Sequence, residues 1–308
     1  MHTQGRLVGE PLGGVRIVAE GLGIKGPRGW AVRGISVDAG PGSLVAVEGP
    51  SGSGRTCLLL ALTGRMKITE GTATVGAVGL PKHLSAVRRI SALAHVPGVT
   101  DLDPALTVGE HLRERALLQR RFGDSLRALL RPRAERAAAS GQLVDEALAA
   151  AGLDLEALPK GPRTAVRDLE RLEALRLSIA LALIGRPRLL GVDDTDLKLS
   201  DGERTEAWAL LRSLARAGTT VVAVCSEAPE DAVRVSTQGG QGGQGDEGDR
   251  TGQGGGDDRG ARTADGGEAP GETAPGARTT TDGATDQRDG ATDQREEKAD
   301  AIAETGRA

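Results

Sequence analysis

SLVAVE (43–48), Gly49-Pro50-Ser51-Gly52-Ser53-Gly54-Arg55-Thr56 and CLLLALTG (57–64) form one continuous stretch: a short apolar strand, a glycine-rich turn and the start of an apolar helix. The eight central residues match the phosphate-binding pattern G-x-x-x-x-G-K-[ST], with Arg55 at the lysine position. Gly52 and Gly54 let the backbone curl so that successive N–H groups converge on phosphate oxygens. The helix that follows adds the positive end of its dipole. Thr56 offers a hydroxyl to Mg²⁺. The bland alternative is a Gly/Ser-rich turn that binds nothing, and the correct flanks argue against it. Arginine keeps the positive charge of lysine but is planar and bulkier, so it does not substitute freely at a fitted site. Binding is expected to survive this change better than transition-state positioning.

Outward from this loop the chain of 308 residues divides in two. Between Thr237 and Ala301 there is no Val, Ile, Leu, Met, Phe, Trp, Tyr or Cys. Such a stretch buries too little apolar surface to offset the backbone entropy lost on folding. Residues 1–235 are therefore expected to form the folded domain and residues 236–308 a disordered, Gly/Asp/Gln-rich tail. The tail carries 16 acids against 8 bases, and the remainder 27 acids against 31 bases. DGATDQR occurs twice in succession (282–295), but no position in it is large and apolar, which excludes a coiled coil.

No apolar run approaches the roughly 20 residues needed to span a bilayer. MHTQGRLVGEPLGG (1–14) lacks the basic and apolar regions of a secretory signal. Cys57 and Cys225 make neither a disulfide framework nor a zinc site, and read as small buried residues. His2, His83 and His111 are scattered. One Phe, two Trp and no Tyr argue against base stacking on single-stranded nucleic acid, so no nucleic-acid partner is expected. The expected location is cytoplasmic.

VRIVAE (15–20), VRGISVD (32–38), SLVAVE (43–48), TATVGAV (72–78) and ISALA (90–94) read as strands. Val108 to Ile184 reads as helical, with Pro132 and Gly141 as interruptions. RLLGV (188–192) and TTVVAVC (219–225) are buried-strand patterns, with a helix over about 201–217 between them. This order predicts an α/β domain with a helical insertion.

At this point the chain resembles the ATP-binding subunit of an ATP-binding cassette (ABC) transporter, over roughly residues 14–235. The likeness is carried by GISVDAGPGSLVAVEGPSGSGRT (34–56), LTVGEHL (106–112), RLSIALALIGRPRLLGVDD (176–194) and AGTTVVAVCSE (217–227), in the family's order. The resemblance implies a P-loop NTPase core with a mixed sheet, an inserted helical subdomain at about 96–185, and ATP with Mg²⁺ as cofactors. It assigns the phosphates to Gly49, Pro50, Ser51, Gly52, Ser53, Gly54, Arg55 and Thr56, and Mg²⁺ to Thr56 and Asp193. It places Asp194 where the family has its catalytic glutamate, one methylene short. A misplacement of about 1 Å can cost about 100-fold in rate, so Asp194 is a poor base. His95 falls at the family's glutamine and Ser226 at its switch histidine. LERLE (169–173) stands in place of LSGGQ, with Glu170 for the serine and Arg171 and Leu172 for the glycines. The resemblance implies that Glu170 repels phosphate and that the side chains at 171 and 172 obstruct its approach. Trp30 is the one aromatic near the position that stacks on adenine, and otherwise packs in a loop or core edge. Trp208 reads as core.

LSDGE (199–203) imitates the missing signature but follows the RLLGV strand, so it reads as a helix start with Ser200 as cap and Glu203 three residues on. Two functions from different classes follow. One is an ATP-binding subunit coupled to a separate membrane permease and paired with a second ATP-binding subunit, peripheral at the inner face of the membrane, with weak hydrolysis. The alternative is a non-hydrolysing regulatory pseudo-ATPase. A P-loop kinase of small metabolites fits the element order less well.

Overall fold

The computed structural model describes residues 13–237, apart from Arg28, 123–131 and Leu197. The tail expected from residue 236 lies outside the described residues from 238 onward. Ile17–Gly26 (β1) and Gly29–Ala39 (β2) form an antiparallel hairpin in which Ile17 faces Ala39. Glu70–Val75 (β4) pairs with β1, and Val78–Leu80 (β5) pairs with β4. These give a four-stranded sheet in the order β2-β1-β4-β5. Leu44–Glu48 (β3), Ser91–Ala94 (β6), Leu189–Val192 (β7), Thr220–Cys225 (β8) and Val233–Ser236 (β9) form a parallel sheet in the order β6-β7-β8-β3-β9. The α/β class holds, with the antiparallel and parallel pairings in two separate sheets.

The period-2 alternation of the strands decides which layer covers each face. Val45, Val47, Val222 and Val224 join the core shared with β1, β2 and the helix Arg55–Leu62 (α1). Leu44, Ala46, Val221 and Ala223 point the other way, into the core shared with the helices. All residues of β7 and β8 are buried, which is why both read as unbroken apolar runs. The remaining helices are Leu84–Ile90 (α2), Val108–Phe122 (α3), Arg133–Ala151 (α4), Arg171–Leu183 (α5) and Asp201–Arg216 (α6). No described helix is long and apolar enough to cross a membrane.

Several sequence expectations change. TATVGAV is not one strand: the chain reverses at Gly76, whose φ of 61° suits glycine, and returns as β5. Gly141 does not interrupt the helical block but lies inside α4, while Pro132 sits at its N-cap, where the lack of an N–H costs nothing. The block also contains a non-helical passage at 152–170, with short 3₁₀ turns at Gly161–Arg163 and Val166–Asp168. Strand β9, with one buried residue in four, is too polar to stand out in the sequence.

The ordered chain also runs past residue 235. Thr237 is buried, its N–H donates to the Glu48 carbonyl at 3.0 Å, and its hydroxyl lies 2.6 Å from Ser53 Oγ. A chain ending at Thr237 is expected to keep the urea midpoint of the full chain. One ending at Ser236 should lose about 1–3 kcal/mol through the missing buried bonds. A markedly earlier midpoint for the first truncation would show that residues beyond Thr237 carry stability.

Candidate functional site

The sequence-predicted residues meet at the carboxyl ends of the parallel strands, where open α/β sheets place their ligands. The loop from Gly49 to Gly54 leaves β3, and Arg55 opens α1. Gly54 has φ 85°, and a Cβ there would stand 2.3 Å from the Ala31 carbonyl oxygen. Gly49 is closed in similarly, since a Cβ would meet Thr237 Oγ1 at 2.2 Å and Ser53 Oγ at 2.8 Å. Gly52 faces open space at φ 81°. Pro50 and Ser51 are exposed, and the Ser53 N–H closes the turn on the Pro50 carbonyl at 3.2 Å. The result is a backbone cradle with an exposed rim, followed by the first N–H groups of α1, which have no intrahelical acceptor.

Thr56 Oγ1 donates to Asp193 Oδ2 at 2.7 Å, and the Asp194 N–H donates to Asp193 Oδ1 at 2.9 Å. Asp193 is 1% exposed. Burial pushes its carboxyl above the ordinary range, while these two bonds and the Arg55 charge pull it back. Among the described residues no group of three or more His, Cys, Asp or Glu side chains is placed to hold a metal. Thr56 and Asp193 supply two hard oxygen donors side by side. That suits Mg²⁺, which takes few protein ligands and completes its shell with water and phosphate oxygens. The cradle and this pair fit a nucleotide phosphate with Mg²⁺.

Asp194 follows in the left-handed region at φ 46°, half-buried. His95 lies close by, also left-handed at φ 53°, with its N–H donating to Ser178 Oγ at 2.7 Å. Burial lowers the His95 pKa and favours the neutral ring, opposed by the charges of Asp194, Asp193 and Asp101. Ser226 is exposed at the end of β8, and its N–H donates to Asp196 Oδ2 at 2.7 Å. Arg55 Nη1 donates to the Cys225 carbonyl at the end of β8.

LERLE opens α5 with Glu170 as N-cap, and the Glu170 N–H donates to Glu173 Oε2 at 2.9 Å. The expectation that Leu172 obstructs this surface is corrected. Leu172 is 7% exposed and packs into the helical core, while Glu170 and Arg171 are exposed and Glu173 is half-buried. LSDGE is a helix start as expected: Glu203 N–H donates to Ser200 Oγ at 3.3 Å, and Ser200 N–H to Glu203 Oε2 at 2.8 Å. Trp30 lies at an exposed edge, with Arg33 at 4.8 Å and Lys25 at 5.6 Å from its ring centroid. Trp208 is core. Cys57 is half-buried rather than buried; Cys225 is buried and its thiol is pushed up to about 12, so it is inert. Sequence reasoning missed Thr237, Asp196 and Ser178. None of them belongs to a local motif, and each matters through a partner at least 30 residues away.

This arrangement of β3, glycine cradle, α1 and buried Asp193 defines a P-loop nucleotide-binding fold. A family model described as "ABC transporter" matches residues 32–196, more than half of the chain. The chain belongs to the ABC transporter family and corresponds to its ATP-binding part. ABC transporter A family member 4 of Arabidopsis thaliana is 27% identical over 187 residues, which is 60% of this chain and 18% of that protein. Nod factor export ATP-binding protein I of Cupriavidus metallidurans is 31% identical over 188 residues, 61% of this chain and 55% of that one. The chain thus spans from under a fifth to about half the length of these relatives. In fold it is similar to cbiO1 from Clostridium perfringens, described as part of the ABC transporter complex cbiONQ. The TM-score is 0.55 at 18% identity, covering 71% of this chain and 86% of that one. The ATP-binding cassette MJ0796, in a dimeric post-hydrolysis state bound to ADP and Pi, gives 0.51 at 20% identity, covering 68% and 88%.

The glycines make a sharp stability test. Gly54→Ala must displace the Ala31 backbone in a left-handed conformation and should cost about 2–4 kcal/mol. Gly52→Ala meets no neighbour and should cost only the conformational term, about 1–2 kcal/mol. Urea unfolding of the two variants checks the order; equal losses would place the Ala31 contact outside the energetics of the loop.

Proposed function

We propose that the chain is the ATP-binding component of an ABC-type transporter, binding ATP–Mg²⁺ at Gly49–Thr56 and Asp193 and acting with a separate membrane permease. The observation that carries this reading is the Thr56–Asp193 bond at 2.7 Å inside a correctly formed glycine cradle. Backbone N–H groups and Arg55 supply the positive field for phosphate, and Thr56 and Asp193 supply the oxygen donors for Mg²⁺. Bound Mg²⁺ would neutralise charge on the phosphates. Thermal-shift or calorimetric titration with ATP–Mg²⁺ is expected to show binding. No response at about 1 mM, equivalent to about −4 kcal/mol, defeats the reading.

Hydrolysis is expected to be slow or absent. A base acting on water must reach it, and Asp194 is one methylene shorter than glutamate. Its neighbour at the switch position, Ser226, is short and neutral. This combination of a formed binding cradle and a depleted reaction centre supports the regulatory pseudo-ATPase as the second reading. Turnover below about 0.1 s⁻¹ is expected, and about 1 s⁻¹ or more would place the protein among ordinary enzymes. Because the groups act together, Asp194→Glu alone should not restore turnover.

A cleft beside the helical block supports the permease reading. A cleft of about 420 Å³ lies between residues 93–102 and helices α3 and α5, lined in part by Val99, His111, Arg115 and Leu118. Val99 and Leu118 are 52% and 43% exposed. The cleft adjoins His95 through Ser178, which gives a docked helix a short path to the nucleotide site. Pairing of two such chains across ATP is expected to be weak. A helix N-terminus normally attracts phosphate, but α5 presents Glu170 and Glu173 there. Light scattering with ATP–Mg²⁺ should report a monomer, and tight ATP-dependent dimerisation would overturn the charge argument.

A further inference from the structure

We infer that this phosphate site recognises the diphosphate portion of a nucleotide and is nearly indifferent to the γ-phosphate. The inference rests on the nucleotide-binding reading above and concerns which nucleotide the site selects. The groups that face a phosphate fall into two sets. The first is backbone: the cradle from Gly49 to Gly54 and the first N–H groups of α1. These are fixed by left-handed glycines and by the packing of Gly54 on Ala31, so they are present whatever the ligand.

The second set comprises the side chains that would distinguish a third phosphate, and each is engaged elsewhere or too short. Arg55, at the position whose lysine normally reaches the β- and γ-phosphates, is turned onto the Cys225 carbonyl at the end of β8. That carbonyl is a buried-strand acceptor, and moving the guanidinium away would leave it without this bond. The Ser226 N–H is engaged by Asp196 Oδ2 at 2.7 Å, and the serine hydroxyl extends one bond beyond its Cβ. Glu170, on the surface that a partner would need to meet, carries the wrong sign.

The local charge points the same way. Asp193, Asp194 and Asp196 stand at the carboxyl end of β7 within four consecutive residues, and Asp193 and Asp194 interact electrostatically. The Arg55 charge acts on Asp193. A γ-phosphate brings further negative charge toward Asp194 and Asp196, while Arg55 Nη1 and the Ser226 N–H are already engaged by protein acceptors. Its favourable and unfavourable contributions therefore nearly cancel, whereas a site with a free lysine gains from the third phosphate. Arg55 accordingly acts as a positioning residue that ties the start of α1 to β8.

Calorimetry on the full chain tests this with ADP–Mg²⁺, ATP–Mg²⁺ and β,γ-imido-ATP–Mg²⁺, the last removing any contribution from turnover. The expected dissociation constants agree within about threefold. In Arg55→Ala all three ligands should weaken by a common factor, and the unliganded protein should melt at a lower temperature because the tie to Cys225 is gone. A wild-type preference for both triphosphates over ADP of about tenfold or more overturns the inference while leaving the nucleotide reading intact. A loss in Arg55→Ala confined to the triphosphates overturns it too, by showing that Arg55 reaches the γ-phosphate. If none of the three ligands binds, the nucleotide reading itself fails, and this inference with it.

Discussion

A carboxylate buried to 1% exposure is costly unless its oxygens are satisfied, and the functional end of this domain is organised around meeting that requirement at Asp193. Thr56 satisfies one oxygen and the Asp194 N–H the other. The first bond ties the start of α1 to the end of β7, and the second bends the chain into a left-handed residue directly after the strand. Thr195 then attaches the segment to β8 through two bonds to the Val224 carbonyl, and Asp196 holds Ser226. Asp193 thus joins α1 to β7, and the two residues Thr195 and Asp196 that follow shortly after join β7 to β8.

The opposite end of the sheet is held by arginines. Arg65 donates to the Thr63 carbonyl and Ser91 Oγ, Arg88 to the Gly64 carbonyl, and Arg115 to the Leu181 carbonyl. The carbonyl acceptors among these lie at or near the C-termini of α1 and α5, where a cation complements the helix dipole. Burial lowers the pKa of Arg65 and Arg115, but a guanidinium remains charged in a protein. The arrangement keeps α1 aligned with its N-terminus toward the cradle. It explains why a short helix with no acidic residue in its first turn holds a fixed orientation.

Much of the site was legible because its parts are local. A glycine cradle needs left-handed φ at particular positions, and only glycine adopts that without strain, so the loop announces itself in eight residues. Asp193 is marked by its place after an unbroken apolar strand. The Ser200 cap is marked by the spacing to Glu203. By contrast, whether a side chain faces ligand or core is not local. Leu172 looked like an obstruction in the sequence, yet the register of α5 turns it into the helical core. Arg55 looked like a lysine surrogate, yet the carbonyl of β8 offers its guanidinium another partner.

The sequence by itself determined most of the core strands and helices, their order and the presence of a phosphate cradle. Backbone preference, apolar periodicity and glycine placement act over a few residues and leave a direct imprint on composition. Only the tertiary structure decided that Thr237 is tied to the loop, which partner Arg55 takes and which signature-like residues are exposed. Those outcomes depend on contacts such as Thr237 with Ser53, 184 residues apart, and Arg55 with Cys225, 170 apart. A hydrogen bond between distant residues is selected by how the strands stack side by side, and no pattern within either segment records its partner.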